Sequence, residues 1–111
     1  MRSFDPVIVS AALTGSIHVP SLSPHLPVTP DEIIEEGIAA AEAGASIIHI
    51  HVRDPDTGEP VSDAELFERV AAGIATETDT IVQPTTGGAA TMTVEERAGV
   101  VPAIAPEMAS C

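Results

Sequence analysis

The chain has 111 residues, which is enough for one small domain, and 44% of them are hydrophobic. It carries 17 acidic residues against 4 arginines, for a formal net charge of −13. Nucleic acids and anionic membrane surfaces need clustered cations, so this composition argues against both as partners.

Cysteine usage and the N-terminal pattern indicate the compartment. Cys111 is the only cysteine, so neither a disulfide framework nor a thiolate metal cage can form within the chain. We therefore expect a reducing, cytoplasmic setting. The N-terminal residues show no signal-peptide pattern, and the apolar stretch that follows is too short for a membrane span.

The first half of the chain predicts a strand, a helix and a second strand. An apolar run over residues 6–14 predicts the first strand, which ends at Gly15 and leads into a long loop over residues 15–29. Thr29 and Glu32 form a capping box around Pro30, which predicts a helix that Gly44 ends. The β-branched run over residues 47–54 predicts the second strand.

The second half repeats this alternation. A turn over residues 54–60 leads to a second capping box, Ser62 to Glu65, and to a helix whose inward side chains are Leu66, Phe67, Val70 and Ile74. Residues 79–83 predict a third strand, Thr93 opens a short third helix, and residues 106–110 predict the start of a fourth strand. Strands alternating with amphipathic helices predict an α/β fold with a parallel sheet.

The unusual groups lie where the predicted strands end. Thr14 and Gly15, the pair His49 and His51, the turn over residues 85–88 and Ser110 all occupy such positions. Active sites of α/β folds collect at the carboxyl ends of the strands, so these groups are expected to form one site. No glycine-rich dinucleotide motif follows the first strand.

The pair His49 and His51 is the strongest single signal. Residues i and i+2 of a strand share a face, so both imidazoles point the same way while Ile48, Ile50 and Val52 take the other face. Two neutral nitrogen donors on a rigid element suit a first-row metal, but a catalytic zinc usually takes three protein ligands. A hydrogen-bonded structural pair remains the alternative.

The remaining candidates are individually weaker. The turn Thr85-Thr86-Gly87-Gly88 is read as an anion cradle or as a plain strand-to-helix turn. Arg53 is placed to neutralise a substrate anion or to pair with one of the acids. His18 and His25 in the long loop, and Glu107, are possible further ligands. Asp54 is expected to be a turn residue, and no acid–base dyad stands out.

Several segments together resemble the β-keto acid cleavage enzyme family over nearly the whole chain. They are residues 11–15 (AALTG), 27–32 (PVTPDE), 43–54 (AGASIIHIHVRD), 85–88 (TTGG), 95–97 (EER) and 106–110 (PEMAS). The resemblance implies a zinc-binding (β/α)₈ TIM barrel that assembles as a homo-oligomer. It implies condensation of a β-keto acid with acetyl-CoA to give acetoacetate and a new CoA thioester, by polarisation of the keto oxygen and a retro-Claisen step.

The resemblance also assigns roles to residues. It implies that His49 and His51 bind Zn²⁺ and that Thr85, Gly88 and Ser110 contact substrate, with Arg53, Thr86, Gly87 and His18 as weaker candidates. Family members that cleave an aminated substrate carry a glutamate where this chain has Ile17, which favours a different β-keto acid. The third zinc ligand and the catalytic residues are expected beyond Cys111.

Residues 1–111 are therefore expected to be the N-terminal part of one TIM-barrel domain, with the first three βα units and the start of the fourth strand. Such barrels need about 250 residues, so the fragment alone is expected to be inactive and to expose open sheet edges. Two alternatives stay open: a zinc-dependent barrel hydrolase, and a non-catalytic metal- or anion-binding module.

Overall fold

Three parallel strands form the sheet in the computed structural model, which describes residues 3–110. The strands of the chain are β1 (Ser10–Ala12), β2 (Ile47–Ile50), β3 (Val52–Arg53), β4 (Pro60–Val61) and β5 (Ile81–Pro84). The parallel sheet has the order β1-β2-β5, and β3 and β4 form a separate antiparallel pair. The predicted α/β class with parallel strands is confirmed.

Three of the four α-helices in residues 3–110 begin at a side-chain cap. The four helices are α1 (Pro30–Glu42), α2 (Ala64–Glu77), α3 (Val94–Ala98) and α4 (Val100–Ile104), with a 3₁₀ turn at Pro20–Leu22. The capping box at Thr29 is confirmed, the helix that Thr93 was predicted to open also begins with a capping box, and Gly44 follows α1 with a φ of 111°. No helix in residues 3–110 combines the length and apolar character needed to cross a membrane.

The start of α2 corrects the prediction of a second capping box. Asp63, and not Ser62, is the N-cap, and its carboxylate accepts a hydrogen bond from the backbone N–H of Leu66. Ser62 instead donates its hydroxyl hydrogen to the carbonyl of Glu96. A carboxylate one residue closer to the helix competes successfully for the exposed N–H groups.

The core lies between the sheet and helices α1 and α2. Ile48, Ile50 and Val52 are at most 1% exposed, which confirms the apolar face predicted for this run. The helices contribute the buried side chains Ile33, Phe67, Val70 and Ile74. The sheet buries this face against the helices. The opposite face, which carries the histidines, is therefore not covered by α1 or α2 and can contribute to a site.

Three strand boundaries differ from the prediction. β1 is much shorter than residues 6–14, and Val7 and Ile8 are exposed because β1 pairs with β2 on one side only. The histidine run divides after Ile50, because β3 leaves the sheet to pair with β4. Residues 106–110 form no strand, but the N–H of Ser110 donates to the carbonyl of Pro84 over 3.2 Å, which aligns this segment beside β5.

Helices α1 and α2 approach closely through two glycines. A Cβ at Gly37 of α1 would lie 2.6 Å from Cδ1 of Ile74, and a Cβ at Gly73 of α2 would lie 2.5 Å from Cδ1 of Ile34. Each glycine therefore receives an isoleucine of the other helix. This reciprocal packing sets the distance between the helices that cover the sheet.

Replacing Gly37 by Ala is expected to destabilise the fold even though alanine favours helices. Ile74 is 0% exposed and cannot move away from a new methyl group. Overpacking of this kind costs about 1–3 kcal/mol, whereas the gain in helix propensity is about 0.5–1 kcal/mol. Urea unfolding should therefore give a lower free energy of unfolding for Gly37→Ala.

Gly73→Ala is the matched control. The new Cβ would lie 2.5, 2.8 and 3.2 Å from Cδ1, Cγ1 and Cγ2 of Ile34, but Ile34 is only partly buried and can shift toward solvent, so the loss in free energy of unfolding should be smaller than for Gly37→Ala. Equal losses in the two variants would contradict this difference in packing.

Candidate metal and substrate site

The carboxyl ends of the parallel strands bring the predicted site residues to one edge of the sheet. β2 places His49 and His51 there, and β5 leads directly into the turn over residues 85–88. The N–H of Thr85 donates to the carbonyl of Ile50 over 3.0 Å, which joins the two strand ends. The predicted clustering of these groups at one edge follows from this pairing.

The two histidines face each other through their Nε2 atoms. His49 Nε2 and His51 Nε2 are 3.3 Å apart, and the ring centroids are 5.2 Å apart at an interplanar angle of 77°. Zinc–nitrogen bonds of about 2.0–2.1 Å at a tetrahedral angle place two nitrogens about 3.3–3.4 Å apart. The two rings are hydrogen-bonded, as the structural alternative predicts, and the same separation also fits two imidazoles that share one cation.

Gln83 fixes the tautomer of His49. The parallel register pairs His49 with Gln83 on one side and with Ala12 on the other. His49 Nδ1 lies 3.0 Å from Gln83 Oε1, and an amide oxygen only accepts, so Nδ1 carries the hydrogen. The lone pair of His49 is then on Nε2, which is the atom that faces His51.

His51 is held in its neutral form. Burial, together with the nearby charges of His49 and Arg53, lowers the pKa of His51 to about 4. At neutral pH the ring therefore keeps a lone pair that can bind a metal. A protonated ring could not act as a ligand.

The two histidines fit zinc, but they are only two donors. Among residues 3–110 no group of three His, Cys, Asp or Glu side chains could hold a metal ion. His18 lines the same cavity as His51, whereas His25 lies in a separate depression beside Glu32, and Glu107 is exposed. The described residues thus offer half of a tetrahedral set.

The turn over residues 85–88 and Ser110 form a hydroxyl cluster. Thr85 is 6% exposed, and its Oγ1 accepts from the N–H of Gly87 over 2.9 Å. Ser110 Oγ accepts from the N–H of Thr86 over 3.2 Å and donates to Thr85 Oγ1 over 3.5 Å. Thr86 Oγ1 also donates to the carbonyl of Ser110. The structure brings together Thr85, Thr86 and Ser110 as the sequence suggests.

Gly88 ends this turn against Arg97. Its φ is 53°, and a Cβ there would lie 2.8 Å from both Arg97 Cγ and Met92 Sδ. Arg97 Nη1 donates to the carbonyl of Gly87 over 3.3 Å. The glycine is required by backbone conformation and by space, so the turn is held from the α3 side as well as from Ser110.

Arg53 is fully buried and does not pair with an acid. Its Nε donates to Thr14 Oγ1 over 2.8 Å, its Nη1 to the carbonyl of Gly58 over 2.7 Å, and its Nη2 to the carbonyl of Gly15. The ion pair found in residues 3–110 is Arg69 with Asp31, so the predicted alternative of an Arg53–acid pair is wrong for this part of the chain. Burial lowers the pKa of Arg53.

A cavity of about 480 Å³ opens beside His51. Its walls are the residues that follow β1, together with one loop side chain: Ala12, Leu13, Thr14, Gly15, Ser16, Ile17, His18, Leu26 and His51. It carries no carboxylate. The end of β1 therefore forms the wall of the space next to the histidine pair.

Sequence reasoning misses one residue of the site, Gln83, and one contact, between Thr14 and Arg53. Gln83 is the one polar side chain in the strand run IVQP, and that isolation is a usable signal once the register with His49 is known. Thr14 and Arg53 meet across 39 positions of sequence, and nothing local announces their contact. Asp54 is confirmed as a turn residue, since its Oδ1 accepts from the N–H groups of Asp56 and Thr57.

A solved structure shares this fold. The ternary complex of ObcA with a C4-CoA adduct and oxalate matches with a TM-score of 0.64 and 21% identity, over 80% of this chain and 24% of that protein. At this identity the likeness concerns the fold alone.

Sequence relatives are much closer. The 3,5-dioxohexanoate:acetyl-CoA acetone transferase of Paraburkholderia graminis is 48% identical over 104 residues, which cover 94% of this chain and 34% of the relative. The 3-keto-5-aminohexanoate cleavage enzyme of Acetoanaerobium sticklandii is 42% identical over 107 residues, which cover 96% of this chain and 38% of the relative. The chain thus spans about a third of the length of these relatives.

The model of one protein family matches almost the whole chain. The match runs over residues 6–111, and the family is described as beta-keto acid cleavage enzyme. It includes the histidine pair, the turn over residues 85–88 and Ser110, which are the features that the geometry brings to one edge of the sheet. The chain therefore belongs to the beta-keto acid cleavage enzyme family.

Proposed function

We propose that residues 1–111 are the N-terminal part of a zinc-dependent enzyme that converts a β-keto acid and acetyl-CoA into acetoacetate and a new acyl-CoA. The observation that carries the proposal is the pair of Nε2 atoms 3.3 Å apart at the carboxyl edge of the sheet, in a member of this family. We place the complete protein in the cytoplasm as a (β/α)₈ barrel and a homo-oligomer.

His49 and His51 would hold the zinc ion. A bound zinc supplies Lewis acidity that polarises a carbonyl oxygen. Gln83 keeps the hydrogen of His49 on Nδ1 and burial keeps His51 neutral, so His49 Nε2 accepts a hydrogen bond from His51 Nε2. A metal would replace that hydrogen bond, with the hydrogen of His51 moving to its Nδ1. The third ligand and the general base are proposed to lie outside these residues.

The hydroxyl cluster would bind the acyl part of the substrate. Thr85, Gly88 and Ser110 are proposed as the contacts, with Thr86 and Gly87 fixing their positions. Ser110 links to both threonines, so a hydroxyl of this cluster can turn toward a substrate oxygen while the backbone of the turn stays in place.

The cavity beside His51 favours a substrate without an ammonium group. Ile17 and His18 line it, and none of its walls is a carboxylate, so an amine would find no counter-charge there. We therefore propose a β-keto acid with an uncharged tail. In this respect the proposed substrate differs from that of the aminohexanoate enzyme.

A chimera tests the proposed reaction. The chain should replace the corresponding third of the 48% identical Paraburkholderia graminis protein, and acetoacetate should be measured with a panel of β-keto acids. Activity that requires acetyl-CoA is expected. His49→Ala and His51→Ala should each lower kcat/KM by about a hundredfold or more, since each removes a ligand.

His25→Ala is the matched control, because His25 is exposed and lies away from the histidine pair. It should retain full activity. Turnover without acetyl-CoA would instead support the barrel hydrolase, and full activity of the His49 variant would overturn the proposed role of the pair.

Metal binding by the chain itself gives a second test. Two nitrogens should bind Zn²⁺ weakly, and His49→Ala should abolish that binding. Gln83→Leu removes the acceptor that orients His49 and should weaken binding by about 10–100-fold, measured by competition with a chromogenic chelator. Unchanged affinity in Gln83→Leu would show that the hydrogen bond does not prepare the ligand.

The substrate assignment can be tested at residue 17. Ile17→Glu in the chimera should shift the ratio of kcat/KM toward an aminated β-keto acid by up to about fivefold, since an exposed ion pair contributes at most about 1 kcal/mol. Ile17→Gln has nearly the same shape without the charge and should leave the ratio unchanged. A preference for the aminated acid before any substitution would refute the uncharged-tail proposal.

A further inference from the structure

Arg53 is an unusual group for the place it occupies. Its side chain is 0% exposed, and among residues 3–110 no carboxylate lies within ion-pair distance of it. A buried charge is costly unless it is paired or fully hydrogen-bonded, and an apolar side chain of similar volume is often no less stable. The guanidinium therefore calls for an explanation other than general stability.

The acceptors of Arg53 belong to two separate segments. Thr14 Oγ1 and the carbonyl of Gly15 lie where the chain leaves β1, and the carbonyl of Gly58 lies in the turn between β3 and β4. The planar guanidinium presents its N–H groups in a fixed fork, so it sets the distance and the angle between the segments it joins. A lysine at this position has no such fork.

The turn at Gly58 is itself locked against the long loop. Gly58 is buried with a φ of 75°, and a Cβ there would lie 2.5 Å from Cγ of Pro20 in the 3₁₀ turn. The N–H of Gly58 donates to the carbonyl of Asp54, and the N–H of Asp54 donates to the carbonyl of Glu59, both over 2.8 Å. The turn is therefore well ordered, and Arg53 can connect it to the segment over residues 14–18.

We infer that Arg53 is a positioning residue: through Thr14 and Gly15 it fixes the segment over residues 14–18 as the wall of the cavity beside His51. Thr14, Gly15, Ser16, Ile17 and His18 all line that cavity. The inference deepens the proposed function, on which it rests for the purpose of the cavity. It replaces direct binding of a substrate anion as the role of this arginine.

The test compares a volume-matched variant with a conservative one in the chimera described above. Arg53→Met fills the same space without donors, and Arg53→Lys keeps the charge without the fork. Hydrogen–deuterium exchange is followed by mass spectrometry in peptides that cover residues 13–22 and 54–59 and in a peptide from α2. Neither metal nor substrate is added, so failure of the proposed reaction does not affect the outcome.

Arg53→Met should accelerate exchange in the two loop peptides by about tenfold, because losing one hydrogen bond from a charged donor is enough to raise the population of the open loop by that factor. The α2 peptide should stay unchanged. Arg53→Lys should give a smaller acceleration. Arg69→Met is the control, because Arg69 is exposed and pairs only with Asp31 on the helix surface. It should leave both loop peptides unchanged.

Chemical rescue distinguishes the hydrogen bonds donated by Arg53 from the space that its side chain fills. Ethylguanidinium is the part of the side chain that Arg53→Ala removes, and at millimolar concentration it should restore slow exchange in residues 13–22, whereas equal sodium chloride should not. The inference is overturned if Arg53→Met keeps the slow exchange of the loop, or if exchange rises equally in α2. The first result would indicate packing alone, and the second a general loss of stability.

Discussion

The site depends on the parallel pairing of β2 with a strand on each side. Pairing fixes which side chains share a face, and Ile48 and Ile50 go to the helices while His49 goes to the opposite face. The register then places Gln83 beside His49 on one side and the small Ala12 on the other. A slip by one residue would exchange the faces and put isoleucines where the imidazoles are, so the burial of two isoleucines secures the chemistry of the site.

Arg53 places a buried positive charge near the histidines of a strongly acidic chain. The chain carries a net charge of −13, which repels an anion at long range. The buried guanidinium donates hydrogen bonds to one hydroxyl and two carbonyls. Its charge is therefore not neutralised by a carboxylate of the described residues. The same charge helps to lower the pKa of His51.

Local signals predicted the elements well and the tertiary contacts poorly. The capping box at Thr29, the helix start at Thr93 and the alternation in residues 48–52 are short-range patterns with a direct physical meaning, and the structure confirms them. The strand over residues 6–14 was overestimated because apolar character cannot tell whether a partner strand lies alongside. Gln83 lies beside His49 because of the strand register, and Arg53 reaches Thr14 through a long-range contact. No single segment of the sequence encodes either of these. The resemblance to a family indicated the candidate residues, but only the structure shows that Arg53 donates to neutral acceptors.

The histidine pair is organised by the fold before any metal is bound. Register, the hydrogen bond to Gln83 and the burial of His51 already set the distance, the tautomer and the charge state of the donors. A metal that entered such a site would meet little further cost of ordering, so the two nitrogens would be enough to select its position. Affinity, by contrast, depends on the number of donors, and residues 3–110 hold no group of three. Position and affinity are thus determined by different parts of the protein: the first by β2 and its neighbours, the second by whatever donor completes the set.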